Sequence, residues 1–289
     1  MKFIYLFVPF IALAISCKEI GPSIDFASQK QSGDTAYTIT NIPAADPKVA
    51  YLEEFTGVAC INCVQGHQKI SDLLAIYGDR LVAVGVHSGP FSTPYAASSP
   101  HPNLYDFRTT EGDNINTNIY SNIVGQPVAG IDRRRFTGQL YRAVLRQNWT
   151  GYVGYENRQE NPCNLQLQSS FDAAANKIKV RATVTFTKDV LAGTKLSLML
   201  TENGIKDAQL LPDNSVDINY VHKHVLRGMF SSWDGLTLKN FAPKGSVFVR
   251  NFELTPRTDW RLDSCEVVGF VHESSDSLRV LQAAKVKLR

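Results

Sequence analysis

Residues Val49–Cys63 read VAYLEEFTGVACINC, and this stretch decides the fold of the chain around it. A short β-prone run ends at Thr-Gly and is followed at once by a CxxC motif, Cys60 and Cys63. Apolar residues then recur at helical spacing over residues 64–77, and residues 81–86 (LVAVGV) form a continuous apolar run of buried-strand length. The order of strand, CxxC, helix and strand predicts a βαβ unit with both cysteines at the strand-to-helix turn.

A CxxC motif in this position is typical of thiol redox chemistry. We expect Cys60 at the amino end of the helix, where free N–H groups and the helix dipole stabilise a thiolate. Cys63, one turn further along, would resolve a mixed disulfide formed by Cys60. Zinc binding is the rival interpretation, but zinc needs two more ligands, and only His67 lies nearby at helical spacing. The motif favours an attacking Cys60 and a resolving Cys63.

Weaker patterns continue the first domain beyond this unit. They predict two short helices, a strand and a longer helix, at residues 104–110, 114–121, 128–131 and 137–155 respectively.

The composition changes near Asn161-Pro162, where short alternating segments separated by turn signals begin. These segments cover residues 165–168, 178–186, 196–200, 247–254, 267–271 and 280–286. Their spacing, with no long helix between them, predicts an antiparallel β-sandwich. We therefore expect an α+β two-domain protein, with an α/β domain at residues 49–158 and a β-sandwich domain at residues 160–289.

The first sixteen residues, MKFIYLFVPFIALAIS, carry one lysine and then an apolar stretch that ends in small residues. This layout is typical of a secretory signal, and the sequence LAISC that ends at Cys17 resembles the lipobox of bacterial lipoproteins. The resemblance implies cleavage after residues 1–16 and acylation of the Cys17 thiol, which would hold the protein on a membrane. Residues 17–48 then form a lipid-anchored flexible tether.

Cysteine usage agrees with export to an oxidising compartment. With Cys17 acylated, four cysteines remain: the CxxC pair and the pair Cys163 and Cys265. Cys163 and Cys265 both precede predicted strands of the second domain, so they are candidates for a second disulfide, and two buried free thiols are the alternative.

The composition indicates a folded protein with no affinity for nucleic acid. The chain of 289 residues is 44% hydrophobic and 20% charged, and its formal charge is +3. The cationic cluster Arg133–Arg135 is too small to follow a phosphate backbone. No apolar run reaches the roughly 18 residues of a membrane-spanning helix. Nucleotide-binding loops and HExxH motifs are also absent from the sequence, and we expect no cofactor.

Two further features resemble the thioredoxin family. Glu54 lies six residues before Cys60, on the strand that leads to it. In thioredoxins an acidic residue at this spacing is buried and takes the proton of the resolving thiol. Gln126-Pro127, ahead of a predicted strand, resembles the cis-proline loop of that family. The resemblance implies that Glu54 is the proton acceptor and that Pro127 lies beside the disulfide and pairs with the substrate chain.

The whole mature chain resembles a narrower group, the Omp28-related outer-membrane lipoproteins of Bacteroidota. The matching segments are LEEFTGVACINC (52–63), GQPVAGIDR (125–133), LTENGI (200–205), YVHKHVLRGMF (220–230) and VVGFVHESSDSLRVLQAAKV (267–286). This resemblance implies a thioredoxin-like domain followed by a β-rich domain on an outer membrane, facing either the periplasm or the cell surface.

Three functions stay open at this point. The first is thiol–disulfide exchange on exported proteins by the CxxC motif. The second is a non-enzymatic surface binding or adhesion lipoprotein in which the Cys60–Cys63 disulfide is only structural. The third is a metal carrier that uses both cysteines and His87, which ends the strand after the CxxC helix. His222 and His224 would share one face of a strand at residues 220–226, but we favour structural roles for both.

Overall fold

The computed structural model describes residues 33–274 and 276–288, a mixed α+β fold in which strands predominate. Its helices are α1 (Cys63–Tyr77), α2 (Thr110–Tyr120) and α3 (Trp149–Glu156). Its strands are β1 (Thr35–Thr38), β2 (Ala50–Thr56), β3 (Leu81–His87), β4 (Val128–Ile131), β5 (Ala143–Leu145), β6 (Cys163–Asp172), β7 (Lys177–Phe186), β8 (Thr194–Glu202), β9 (Ile205–Leu210), β10 (Val216–His222), β11 (Val225–Met229), β12 (Leu236–Lys239), β13 (Ser246–Leu254), β14 (Cys265–Glu273) and β15 (Val280–Lys287).

The βαβ unit predicted around the CxxC motif is confirmed. Strands β2 and β3 pair in parallel from Ala50 opposite Leu81 to Thr56 opposite His87, and α1 connects them. Every residue of both strands is buried, as the continuous apolar run of β3 predicts for strands covered on both faces. Strand β4 pairs antiparallel with the other edge of β2.

One nine-stranded sheet takes strands from both sides of residue 160, where the sequence predicts a domain boundary. Its order is β15-β14-β8-β11-β3-β2-β4-β5, with β12 paired to β8. The two halves meet where β11 lies parallel to β3, with Val225 opposite Gly85. The Gly85 amide also donates a hydrogen bond of 2.7 Å to the His224 carbonyl. The second half of the chain is therefore hydrogen-bonded directly to the strand that follows α1.

A second sheet, of order β1-β13-β7-β6, shares a hydrophobic core with β8, β14 and β15 of the large sheet. Strand β7 alternates between buried and half-buried residues, which is the period-2 pattern expected of a strand with one face on a core. The six β segments predicted after residue 160 all fall within strands of the structure. Strands β9 and β12 were not predicted, and β10 and β11 replace the single strand considered over residues 220–226.

The expected disulfide between Cys163 and Cys265 is not formed, because both cysteines are free, buried thiols. Cys163 begins β6 in the four-stranded sheet, whereas Cys265 begins β14 in the nine-stranded sheet. Both pack in the shared core, and the Cys265 Sγ donates to the Arg261 carbonyl at 3.4 Å. Burial raises the pKa of each thiol to about 12, so both remain protonated.

Two predicted helices are wrong. Residues 137–155 contain strand β5 and helix α3 rather than one helix. The Trp149 indole at the start of α3 donates a hydrogen bond of 3.0 Å to the Val144 carbonyl of β5. Residues 104–109 are not helical, since the amides of Leu104 and Tyr105 donate to the two carboxylate oxygens of Asp207 at 2.9 and 3.0 Å. Pairing of β5 with β4 overrides the helical pattern in the first place, and the contact with Asp207 overrides it in the second.

Part of the tether predicted over residues 17–48 belongs to the fold. Residues 35–38 form β1, which pairs with β13, and the Asn164 side chain binds the backbone of residues 44 and 46. Cys17 and the predicted signal lie outside the described residues. In the described part of the chain, no helix combines the length and the apolar character that crossing a membrane requires.

The cationic cluster at residues 133–135 is divided by burial. Arg133 is fully buried and forms a bidentate pair with Glu53, with Nη2–Oε1 and Nε–Oε2 distances of 2.9 and 3.1 Å. The hydroxyls of Tyr51 and Tyr120 each donate to the same carboxylate at 2.8 Å. Arg135, by contrast, is exposed. The cluster is therefore not one surface patch, as the sequence suggests, because its first member holds a buried carboxylate.

Candidate functional site

The CxxC cysteines form a disulfide at the turn before α1. Helix α1 begins at Cys63, and Cys60 lies in the preceding turn, with its carbonyl accepting from the Cys63 amide at 3.2 Å. We expected Cys60 at the amino end of the helix, whereas the helix begins three residues later, at Cys63, in agreement with the helical pattern over residues 64–77. Cys60 is 4% exposed and Cys63 is fully buried. Both cysteines are therefore buried, and the small exposed fraction of the disulfide belongs to Cys60.

Strand β9 covers part of the CxxC turn. The Gln209 side-chain amide donates to the carbonyls of Gly57 and Cys60 at 3.3 and 3.2 Å, and the Leu210 amide donates to the Val58 carbonyl at 2.8 Å. Gln209 lies 149 residues from Cys60 in the sequence, and no local motif points to it. The second half of the chain thus hydrogen-bonds to the backbone of residues 57–60, at the turn that carries the disulfide.

Glu54 is the buried carboxyl on the strand that leads to the disulfide. Adjacent residues of a strand face opposite ways, so Glu54 faces α1 whereas Glu53 faces Arg133 and Tyr120. The Glu54 Oε1 atom is buried and has no hydrogen-bond partner. Burial raises the pKa of Glu54 well above its usual value, which favours a protonated carboxyl. A group of this kind can give a proton to a neighbouring sulphur or accept one from it.

Gly66 of α1 lies where Glu54 and Pro127 meet the helix. The peptide bond between Gln126 and Pro127 is cis. A Cβ atom at position 66 would overlap Glu54 Oε1 and lie 2.9 Å from the Pro127 Cβ. The helix therefore packs directly on the carboxyl and on the proline, three residues after Cys63.

Replacement of Gly66 by Ala should lower the free energy of unfolding by about 1–3 kcal/mol, because the added methyl overpacks this contact. Gly151 in α3 is the control, since a Cβ there meets no atom within 4 Å. Gly151→Ala should raise stability by about 0.5–1 kcal/mol through its helix propensity alone. Urea unfolding of both variants measures the difference, and a Gly66→Ala protein as stable as wild type would contradict this packing.

His67 links the first half of the chain to β10. Its Nε2 lies 2.8 Å from the Thr56 hydroxyl and 3.8 Å from Glu54 Oε2, and its Nδ1 lies 2.7 Å from the Tyr220 hydroxyl. Burial lowers the pKa of His67 to about 3, with further contributions from His222 and His224. His67 is therefore neutral at physiological pH. From the sequence, His67 is a candidate only for zinc binding, and no local pattern points to Tyr220, which is 153 residues away.

His222 and His224 do not share a strand face. Strand β10 ends at His222, and His224 has a left-handed backbone with φ of 56°, so the alternation expected over residues 220–226 is broken. His87 is buried against Phe107 and His222, at ring distances of 4.9 and 5.9 Å, rather than presented at the sheet edge. No three His, Cys, Asp or Glu side chains within the described ranges are arranged to hold a metal ion. The metal-carrier hypothesis gains no support from this geometry.

Comparison with known proteins identifies the family. Residues 115–289, more than half of the chain, match the family described as outer membrane protein Omp28. The chain belongs to the Omp28 family. The expected resemblance is thereby confirmed, and the protein is assigned to the outer membrane. No curated protein matches the sequence.

Solved structures similar to this Omp28-family chain include two from Porphyromonas gingivalis. The first is HBP35, with a TM-score of 0.58 and 18% identity, over 85% of this chain and 77% of HBP35. The second is a domain of the outer membrane lipoprotein Omp28, with a TM-score of 0.31 and 17% identity, over 45% of this chain and 91% of that domain. At these identities the likeness to HBP35 concerns the fold alone.

Acid should destabilise the Omp28-family protein through its buried histidines. Burial lowers the pKa of His222 to about 4 and of His272 to about 3. The unfolded chain binds protons below pH ~6.5, whereas the folded protein does not, so stability falls by up to roughly 1.4 kcal/mol per pH unit for each histidine as the pH drops below ~6.5. The slope of unfolding free energy against pH should decrease in His222→Phe and stay unchanged in His101→Phe, whose side chain is exposed. Equal slopes in both variants would contradict the assignment.

Proposed function

We propose that this outer-membrane protein carries out thiol–disulfide exchange on exported proteins, in a thioredoxin-like domain at residues 49–158. Cys60 is the attacking thiol, Cys63 the resolving thiol, Glu54 the proton acceptor and Pro127 the shelf for the substrate chain. The observation that supports this proposal best is Glu54, a buried carboxyl with an unpartnered oxygen, packed with Pro127 against the helix that begins at Cys63. A disulfide with a purely structural role needs no such carboxyl.

Each step of the exchange balances in atoms and electrons. When the reduced protein acts, the Cys60 thiolate attacks a substrate disulfide, forms a mixed disulfide and releases one substrate thiolate. Glu54 then takes the proton of Cys63, and the Cys63 thiolate attacks the Cys60 sulphur. This step forms the Cys60–Cys63 bond and releases the second substrate thiolate. The protein loses two electrons and the substrate gains them, and the reverse sequence oxidises a substrate dithiol.

Burial of the disulfide favours the second candidate, a surface binding or adhesion lipoprotein with a structural Cys60–Cys63 bond. Cys60 is only 4% exposed, and Gln209 hydrogen-bonds to the turn that carries it. Structural disulfides in secreted domains resist exchange, so the two candidates differ in reactivity rather than in the presence of the bond.

Trapping in cells separates the two functions. Cys63→Ser leaves Cys60 free to attack but removes the resolving thiol, so mixed disulfides through Cys60 should accumulate. Cys60→Ser is the matched control and should accumulate few, because Cys63 is buried. Non-reducing electrophoresis and mass spectrometry identify the adducts. If neither variant traps a partner and both lose stability equally, the disulfide is structural.

We also propose that Cys17 carries the lipid anchor, as the lipobox resemblance implies. Cys17→Ser should then either block processing or release a soluble protein, because the acyl chains supply most of the membrane affinity. Intact mass spectrometry of the membrane-bound protein measures the modification directly. An unmodified amino terminus at another residue would contradict this anchor.

A further inference from the structure

A cavity of about 260 Å³ lies between α1 and the end of β10. Glu54, His67 and Tyr220 line it on the inside, and Lys223 and His224 belong to the segment after β10 that completes it. The carboxyl of Glu54 is buried, whereas the Tyr220 ring is half-buried. The cavity therefore brings the buried carboxyl and a partly exposed hydroxyl to the same space.

The exchange chemistry leaves Glu54 with a proton to replace. When an external thiolate attacks Cys60, a new S–S bond forms, the Cys60–Cys63 bond breaks and the electron pair remains on the Cys63 sulphur. The proton of the Glu54 carboxyl moves to that sulphur, and Glu54 becomes a carboxylate. A buried carboxylate without a partner is costly, so Glu54 takes up a proton from solvent in the reduced protein and must lose it again before it can accept the proton of Cys63.

We propose that His67 and Tyr220 form the proton path between solvent in this cavity and Glu54. This inference rests on the proposed exchange function and adds the means by which its carboxyl is recharged. The Tyr220 hydroxyl donates its proton to His67 Nδ1 across 2.7 Å, and His67 Nε2 passes its own proton to Glu54 Oε2. The 3.8 Å separation closes when the ring turns from the Thr56 hydroxyl towards the carboxyl. Tyr220 recovers its proton from water, and oxidation of the dithiol reverses the order.

The surroundings of His67 suit a relay that carries no lasting charge. The titratable groups that face the ring are Glu54 from β2, Tyr220 and His222 from β10, and His224 from the turn beyond it. Burial lowers the pKa of His67 to about 3 and raises the pKa of Tyr220 to about 12. Both groups are therefore neutral at rest, and transfer through them moves protons in concert without a stable imidazolium.

Tyr220→Phe tests the path, because it keeps the ring contacts with His67 and His222 and removes only the hydroxyl. Tyr152→Phe is the matched control, since its hydroxyl also makes a hydrogen bond, to Gln139 at 3.2 Å, away from the cavity. The full-length proteins turn over repeatedly with dithiothreitol as reductant and a peptide disulfide as substrate, and the rate is followed against pH in H2O and in D2O. Thermal unfolding of each variant is measured in parallel.

We expect turnover by Tyr220→Phe to be slower by roughly tenfold, with a smaller solvent isotope effect and an altered pH profile, while Tyr152→Phe behaves as wild type. His67→Gln should show the same loss. Wild-type rates, pH profile and isotope effect in Tyr220→Phe would overturn the path while leaving exchange through Cys60 intact. Faster turnover together with a lower Tm would also overturn it, because the hydroxyl would then serve only the stability of the fold. Failure of Cys63→Ser to trap any partner would instead refute the exchange function itself.

Discussion

Replacement of Arg133 by Met is expected to lower the free energy of unfolding by about 3–5 kcal/mol. The guanidinium is fully buried and supplies two of the four hydrogen bonds of the Glu53 carboxylate, with the hydroxyls of Tyr51 and Tyr120 supplying the others. Its removal leaves a carboxylate in the core without a counter-charge, and that loss exceeds the small gain from the apolar methionine. Urea unfolding monitored by fluorescence measures the change.

Arg135 provides the control for this prediction, because it is the exposed neighbour in the same cationic run. Arg135→Met should change stability by less than about 0.5 kcal/mol. The double variant Glu53→Gln/Arg133→Met should recover part of the loss, since it removes both charges together. Equal effects of the Arg133 and Arg135 substitutions would show that the buried pair is not the source of stability.

Replacement of Glu54 by Gln should slow the resolution of mixed disulfides by about 100-fold, the lower end of the usual range for a positioned acid or base. Formation of the mixed disulfide by Cys60 should change much less, because Glu54 handles the proton of Cys63. Stopped-flow oxidation of the reduced protein by a peptide disulfide, with acid quenching and mass spectrometry, separates the two steps.

The unfolding stability of Glu54→Gln shows whether the slower resolution of mixed disulfides comes from the lost carboxyl or from a damaged fold. Burial raises the pKa of Glu54, so its carboxyl contributes stability at low pH that is lost as the pH rises through its folded pKa. The neutral amide of Glu54→Gln avoids that loss, and the variant should unfold no earlier than wild type at neutral pH and above. Glu160→Gln, at a side chain that is 82% exposed, is the control for both measurements. Slow resolution in Glu160→Gln would argue against a specific role for Glu54.

The parts of the fold that local pattern determines were predictable from the sequence. The βαβ unit around the CxxC motif was predictable, because residues 81–86 of β3 are continuously apolar and α1 repeats its buried residues at helical spacing, as with Ile70 and Leu73. Strand β7 alternates between buried and half-buried residues along its whole length, and this local pattern made it predictable. The helix predicted over residues 137–155 was wrong because three of these residues pair with β4, and the spacing of apolar residues along the sequence does not reveal that pairing.

Only part of the candidate site could be predicted from the sequence. Cys60, Cys63, Glu54 and Pro127 follow one another along the first half of the chain and could be recognised by spacing and resemblance. Gln209 and Tyr220 approach this site only because β11 pairs with β3 and brings the β9–β10 hairpin alongside it. Partners separated by about 150 residues carry no local signal, although Tyr220 begins one of the segments shared with the family.

The reduction potential of the Cys60–Cys63 disulfide tests the central claim most directly. The purified protein is equilibrated in glutathione buffers of defined potential, and the free thiols are alkylated and counted by mass spectrometry. An exchange site should give a potential within the range of known exchange proteins, about −120 to −270 mV. A potential below about −300 mV would mark a structural bridge and contradict the exchange function.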